Sequence, residues 1–373
     1  MDTRSLWLAL AMTPGLGPVG IRRLCDAFGS VAELFAANRE ELVACGCQRR
    51  ETLDALVGRR NELLAEAGAE LARVEQAGMI LLGQDDPRYP RLLLEIPDPP
   101  PVLYAQGEVG LFNQPGVAMV GARSATSYGL RVAERLSSEL ARQGLVIISG
   151  FALGIDSAAH RGALTAGAAT TIAVMGCGLD VGYPAHNRVL RDQILASGGV
   201  LVSECPLGAQ PEPFRFPARN RIVSGLSLGV VVVEAAKRSG TLITARQALE
   251  QGREVFAVPG RIDSAKSEGC HRLVQEGAKL VHCARDVLEE LGLVVVGAPA
   301  PPQGGYAPSA VDGLSDEEQR VLACLEVYPR SVEEIILAVG LSAQRTSELL
   351  LHLEMAGLAD SLPGGQYQRL SAR

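Results

Sequence analysis

At 373 residues the chain exceeds what one hydrophobic core usually supports, so two or three domains are expected, and a hydrophobic content of 47% is enough to fill them. A formal net charge of -7 excludes a generally basic protein with indiscriminate polyanion affinity. No stretch reaches the roughly 18 to 20 uninterrupted apolar residues of a membrane helix, and Leu6 to Met12 is too short and poorly flanked for a signal peptide. A cytoplasmic protein without membrane contact is therefore expected. Eight scattered cysteines, at Cys25, Cys45, Cys47, Cys177, Cys205, Cys270, Cys283 and Cys324, form no CxxC pair and have no histidine at zinc spacing. Reduced thiols follow, with neither a metal site nor a cofactor.

Residues 1–78 repeat Leu, Ala, Val and Phe at intervals of three and four with Gly-containing breaks, which predicts a small all-helical domain. Near its start, Thr13-Pro14-Gly15-Leu16-Gly17-Pro18 precedes a helical pattern over Val19–Phe28 and resembles the hairpin of a helix-hairpin-helix unit, in which glycine amides at a helix start face a phosphate. A tight turn between packed helices explains it equally well, because the basic support is limited to Arg22 and Arg23.

Residues 79–296 change texture. Short β-branched runs at Val117–Val120, Leu145–Ile148, Thr170–Val174, Val200–Val202, Val230–Val233, Val255–Val258 and Lys279–Val281 alternate with amphipathic segments such as Gly129–Gln143, Asp156–Ala166 and Thr241–Gln251. Apolar runs with little alternation mean strands buried on both faces, so a parallel, doubly wound α/β sheet is expected.

Ligands of such sheets lie beyond the carboxyl ends of the strands, where loops enter helix N-termini that favour anions. The first loop, Gly121-Ala122-Arg123-Ser124, lacks G-x-G-x-x-G but supplies an arginine and a hydroxyl, so phosphate binding is retained while a dinucleotide loses support. The next, Ser149 to Asp156, has no acid directly at the strand end for ribose hydroxyls, and Asp156 is expected to cap the following helix. His160 and His186 join no Ser-His-acid or Cys-His arrangement, and no G-x-x-x-x-G-K-[ST] loop is present. Binding without turnover is expected.

The most informative stretch is Phe214–Ile222, F-R-F-P-A-R-N-R-I, which sets Arg215, Arg219 and Arg221 beside Phe214 and Phe216 without an acid. Guanidinium groups hold phosphates and ring faces stack on bases. From Pro206 to Arg246, six basic residues face two acidic ones, a footprint for a polyanion on an otherwise acidic chain. Pairing of these arginines with carboxylates from distant segments is the alternative. A second anion seat is expected where Lys237 and Arg238 precede Ser239, Gly240 and Thr241 at a helix start, with plain N-capping by Ser239 or Thr241 as its alternative.

Residues 297–313 are rich in Pro, Gly and Ala without periodicity, as a tether is. In residues 314–373, Ser315 with Glu318 and Ser331 with Glu334 have capping-box spacing, a third helix runs over Ala343–Met355, and Leu358–Leu370 reads as a hairpin around Pro363-Gly364-Gly365. Three helices and a hairpin make a winged helix. Its third helix carries Arg345 and His352 against Glu348 and Glu354 amid leucines, which favours protein contact over DNA reading.

Six motifs in register, G-A-R-S-A-T-S-Y-G from Gly121, S-G-F-A-L-G-I-D-S-A-A-H from Ser149, G-C-G-L-D-V-G-Y-P from Gly176, F-P-A-R-N-R-I-V-S-G-L-S from Phe216, V-V-E-A-A-K-R-S-G-T-L-I-T-A from Val232 and R-E-V-F-A-V-P-G from Arg253, resemble the DprA (Smf) DNA-processing family over roughly Asp85 to Leu291. The flanking modules look similar to the accessory domains of longer members, the N-terminal one SAM-like or helix-hairpin-helix-like. The resemblance implies an extended Rossmann-like domain that binds and protects incoming single-stranded DNA, helps load the RecA recombinase during natural transformation and acts as a homodimer. It assigns the pocket to Arg123, Ser124, Gly150, Arg219, Asn220 and Arg221, phosphate holding to Ser239, Gly240 and Thr241, and base stacking to Phe216. Arg215 and Lys237 join these from the charge reading. The family's usual G-S-R appears as Gly121-Ala122-Arg123, so one hydroxyl is missing. The alternative is a nucleotide-processing enzyme similar to the cytokinin-activating phosphoribohydrolases, whose P-G-G-x-G-T-x-x-E places a glutamate where this chain has Thr244.

Overall fold

The computed structural model describes residues 2–167, 169–293, 314–326 and 329–370. The chain forms two compact units, Met1–Val296 and Gly297–Arg373. The tether expected at 297–313 lies outside the described residues.

Six helices open the first unit: α1 (Thr3–Met12), α2 (Pro18–Phe28), α3 (Val31–Ala36), α4 (Arg39–Ala44), α5 (Arg50–Leu53) and α6 (Arg60–Gln76). Three of their starts are marked by short polar caps. Asp2 accepts from the Arg4 amide, Ser30 from Glu33, and Asn38 with Glu41 closes a capping box. The hairpin before α2 is a packed turn. Gly15 has φ +73°, Thr52 Oγ1 donates to the Pro14 carbonyl at 2.8 Å, and Arg49 donates to that of Gly15 at 3.0 Å. Arg22 and Arg23, the cations that would support a phosphate there, donate instead to the carbonyls of Ile96 and Gly46, each at 2.8 Å.

The sheet follows, with β1 (Ile80–Gly83), a short α7 (Arg91–Leu94), β2 (Val102–Gly107), β3 (Gly116–Val120), α8 (Ser127–Arg142), β4 (Val146–Ser149), α9 (Ile155–Leu164), β5 (Thr171–Val174), α10 (Arg188–Ala196) and β6 (Val200–Ser203). Then come α11 (Arg215–Gly225), β7 (Gly229–Val232), α12 (Thr241–Glu250), β8 (Glu254–Ala257), α13 (Glu268–Gln275), β9 (Lys279–Leu280) and α14 (Ala284–Glu290). The order β1-β2-β6-β5-β4-β3-β7-β8-β9 is doubly wound and parallel from β6 to β9. Strands β3 to β7 are buried at every position, as their unalternating apolar runs require.

Two strands carry no clear mark in the sequence. β1 and β2 are antiparallel to each other, and β2 is antiparallel to β6, so the sheet is mixed. Their residues, I-L-L-G and V-L-Y-A-Q-G, are not rich in β-branched side chains, and a proline-rich segment separates them. These strands also join the helices to the sheet. The change of texture at 78 separates secondary structure but not cores, since Leu8, Leu10, Leu71 and Val74 share one apolar cluster with Leu81, Tyr104 and Leu201. Gly83 lies so near the Trp7 ring that a Cβ would stand 2.4 Å from it.

In the second unit, α15 (Asp316–Cys324), β10 (Arg330–Ser331), α16 (Val332–Val339), α17 (Ala343–Met355), β11 (Ala359–Leu362) and β12 (Gln366–Arg369) form a winged helix with its own core, including Leu322, Ile335, Leu349 and Leu353. Both expected capping boxes form. Arg345 is held between Glu317 at 2.7 Å and Glu348 at 2.8 Å, and His352 lies 3.5 Å from Glu318. No helix among the described residues is long and apolar enough to cross a membrane.

Candidate functional site

The loops after β3, β4 and β5 and the helix α11 enclose a cavity of about 100 Å³, lined by Arg123, Gly150, Met175, Tyr183, Phe216 and Arg219 among others. Phe216, on the first turn of α11, is its wall. The Arg123 guanidinium sits 5.2 Å from the Phe216 ring centroid, and the Tyr183 ring lies 5.8 Å away at 39°. Gly176 gives the ring its room, because a Cβ there would reach it at 3.0 Å.

Arg219, one turn along α11, forms the floor. It is 4% exposed and donates to the carbonyls of Gly150 and Val174, while its Nε has no partner. Burial lowers its pKa from the ordinary value, and the carboxylate of Asp156 opposes that shift. Gly150 is needed because a Cβ would lie 2.7 Å from both the Arg219 guanidinium and Asp156 Oδ2. Its part is thus to admit the arginine.

Helical geometry divides the R-N-R triplet. Successive residues turn by about 100°, so Arg221 points roughly 200° around α11 from Arg219. It is buried and paired with Glu204 at 2.5 Å and Asp98 at 3.1 Å. For Arg221 the alternative of distant carboxylates is what the structure displays. Arg215 is half-buried, 3.7 Å from Glu212, 3.4 Å from Cys205 Sγ and 5.2 Å from the ring of Phe214, which is 64% exposed. Asn220, between Arg219 and Arg221 in the sequence, is half-buried.

The second expected seat flanks the first, since β3 and β7 are neighbours. Lys237 and Arg238 are exposed and make no ion pair among the described residues, and the same holds for Arg123. Ser239 Oγ accepts from the Thr241 amide at 3.2 Å and donates to the Thr241 hydroxyl at 3.0 Å, but the N-cap of α12 is Gly240, which makes no side-chain cap bond, so neither Ser239 nor Thr241 is the N-cap; Gly240 is exposed and Thr241 buried. Ser124 is exposed, and its carbonyl accepts from Lys266 Nζ at 2.5 Å.

Asp156 does not cap α9. Gly154, with φ +80°, is the N-cap and makes no side-chain bond, so the helix begins earlier than expected and Asp156 falls inside its first turn. There its Oδ2 accepts from the Ala152 amide at 3.2 Å. Burial raises its pKa and Arg219 counters the shift. His160 is a core residue whose Nδ1 is 2.8 Å from Thr171 Oγ1, and burial pushes its pKa down to about 3. His282, Cys283 and Asp286 bring ligand atoms within 4.8 Å of one another, a grouping that zinc-finger spacing does not capture because its His and Cys are adjacent in sequence. Asp286 there accepts from the amides of His282 and Cys283 and so caps α14.

Three participants were not foreseen. Tyr183 reaches Phe216 from the loop after β5, and Lys266 reaches Ser124 from the loop after β8. Asn187 donates to the carbonyl of Phe151 at 3.0 Å and pairs with Ser157, holding Phe151 at φ +59°, a conformation non-glycine residues seldom adopt. Nothing local in the sequence signals Lys266 or Asn187. Tyr183 had a signal in its aromatic character at a strand end.

The fold defines the chain as a Rossmann-like α/β protein carrying a winged-helix module. Residues 80–292 match the family of DNA recombination-mediator protein A, and residues 306–365 the DprA winged helix domain. Protein Smf of Synechocystis sp. is 35% identical over 98% of both chains, and Protein Smf of Escherichia coli 42% identical over 81% of this chain and 80% of its own. The X-ray structure of DNA processing protein A from Streptococcus pneumoniae is similar with a TM-score of 0.67 and 38% identity, covering 77% of this chain and 97% of that one. DNA processing protein A from Helicobacter pylori, whose structure is described as showing a single-stranded DNA binding mode, gives 0.51 and 32% over 57% of this chain and 95% of its own. The chain belongs to the DprA (Smf) family of DNA-processing proteins.

Proposed function

We propose that this protein is a single-stranded DNA-binding recombination mediator that protects incoming strands and helps load RecA recombinase on them during natural transformation, working as a homodimer. The observation that carries the reading is the cavity at the strand ends, where Arg123 lies over Phe216 and the buried Arg219 forms the floor. A ring beside unpaired exposed cations suits a polymer that offers a base and a phosphate together. The single-strand binding mode described for the Helicobacter pylori relative supports the same polymer. In this reading Arg123, Ser124, Lys237, Ser239, Gly240 and Thr241 meet phosphates, Phe216 meets a base, and Gly150, Arg219 and Asn220 shape the pocket, with Arg215 at its edge.

The test is a mobility shift with single and double strands of matched sequence, followed by RecA strand-loading with and without the protein. Preferential single-strand binding and faster RecA loading are expected. Equal affinity for both strands would remove the reading. The phosphoribohydrolase alternative is tested by incubation with nucleoside monophosphates, from which no free base should appear.

A further inference from the structure

Doubly wound proteins seat a nucleotide's phosphate at the N-terminus of the helix after the first parallel strand, in the crevice where the strand order reverses. Here that crevice lies between β3 and β7, which pair through Ala118–Val230, Met119–Val231 and Val120–Val232, and the helix is α8. Thr126 is its N-cap, with Oγ1 accepting from the Gly129 amide at 3.1 Å.

The position is already filled by a carboxylate of the chain. Glu234, two residues beyond β7, accepts from the Thr126 amide at 2.9 Å with Oε2 and from the Thr126 hydroxyl with Oε1. It is 4% exposed, and it lies so close to Gly129 that a Cβ there would stand 2.5 Å from its Cδ. Glu234 is one of only two acids between Pro206 and Arg246 and is the buried one, whereas Glu212 is exposed. A negative group placed at the crevice seat, inside an otherwise basic region, calls for a function.

We propose that Glu234 is a built-in anion that closes the central crevice to nucleotide phosphates, and so sets specificity against nucleotides and dinucleotides. Like charges cannot share a buried seat, and the carboxylate uses the amide and hydroxyl a phosphate would need. Phosphates of a ligand are left with the outer positions, where Arg123, Ser124, Lys237 and Arg238 are exposed. The inference stands whichever polymer those positions hold, and it explains why Gly129 is a glycine inside the first turn of a helix.

The test uses the full chain with pyrophosphate and ADP as probes, read by calorimetry and by the backbone amide resonances of Thr126 to Gly129. In the wild type neither probe should move those resonances saturably, and any binding is confined to the outer positions. Glu234→Ala should bind pyrophosphate at least about tenfold more tightly than the wild type, a gain of roughly 1.4 kcal/mol, and the four resonances should move. Should that variant not fold, Glu234→Gln carries the comparison, since it keeps the shape and an acceptor but removes the charge. Saturable movement of the four resonances in the wild type overturns the proposal. So does a folded variant that binds pyrophosphate no better than the wild type.

Discussion

At the scale of single residues, the arginines of one short segment divide by the direction each side chain takes. Arg219 forms a pocket floor, Arg221 a buried ion pair and Arg123, from another loop, an exposed cation over a ring. Replacing Arg123 by Ala should weaken single-strand binding for every sequence alike, because phosphate contacts position without reading bases. The salt slope should flatten by about 0.7 for each phosphate the variant no longer neutralises, and an unchanged slope in a binding titration would remove Arg123 from the interface. Phe216→Ala should cost roughly 1 to 3 kcal/mol in affinity with little change in that slope. If it lowers the melting temperature strongly while folded protein binds as before, the ring is packing only. His160 adds a pH dependence. Its folded-state pKa, about 3, lies below the ordinary 6.5, so its contribution is full above pH 6.5 and is lost as pH falls toward 3. Against His160→Gln, the wild type should lose up to about 1.4 kcal/mol per pH unit in that window, measured by urea unfolding at several pH values.

At the scale of elements, the strands β3 to β7 were legible because burial on both faces demands continuous apolar runs, whereas β1 and β2, built on Leu and Tyr, carried no such mark. The side-chain caps at Ser315 and Ser331 were legible in the sequence, whereas at α9 the N-cap is Gly154 and Asp156 falls inside the first turn. Gly154 brings two loops together. A Cβ there would stand 2.3 Å from the Ala122 carbonyl oxygen and 2.4 Å from that of Arg123, at φ +80°. Gly154→Ala should therefore destabilise the protein by about 1 to 3 kcal/mol and weaken DNA binding beyond that loss, by displacing Arg123. Thermal melts alongside binding of the folded fraction separate the two effects.

At the scale of the whole molecule, the division into Met1–Val296 and Gly297–Arg373 puts every pocket residue in the first unit. A chain ending at Pro308 should thus retain single-strand affinity within about threefold, roughly 0.65 kcal/mol, in the same mobility shift. A loss of ten-fold or more would make the winged helix part of the interface, against the pairing of Arg345 with Glu317 and Glu348. From residue order alone came the layered α/β sheet, the winged helix, the strand-end loops and the cluster of Arg and Phe, because periodicity, caps and local charge are properties of neighbours along the chain. Folding settled which arginine faces the cavity, that Tyr183, Asn187 and Lys266 take part, that Glu234 fills the central seat, and that the N-terminal helices share a core with the sheet. The hydrogen bonds among those features join residues up to 142 positions apart, and side-chain direction at that range is decided by packing, about which local sequence is silent.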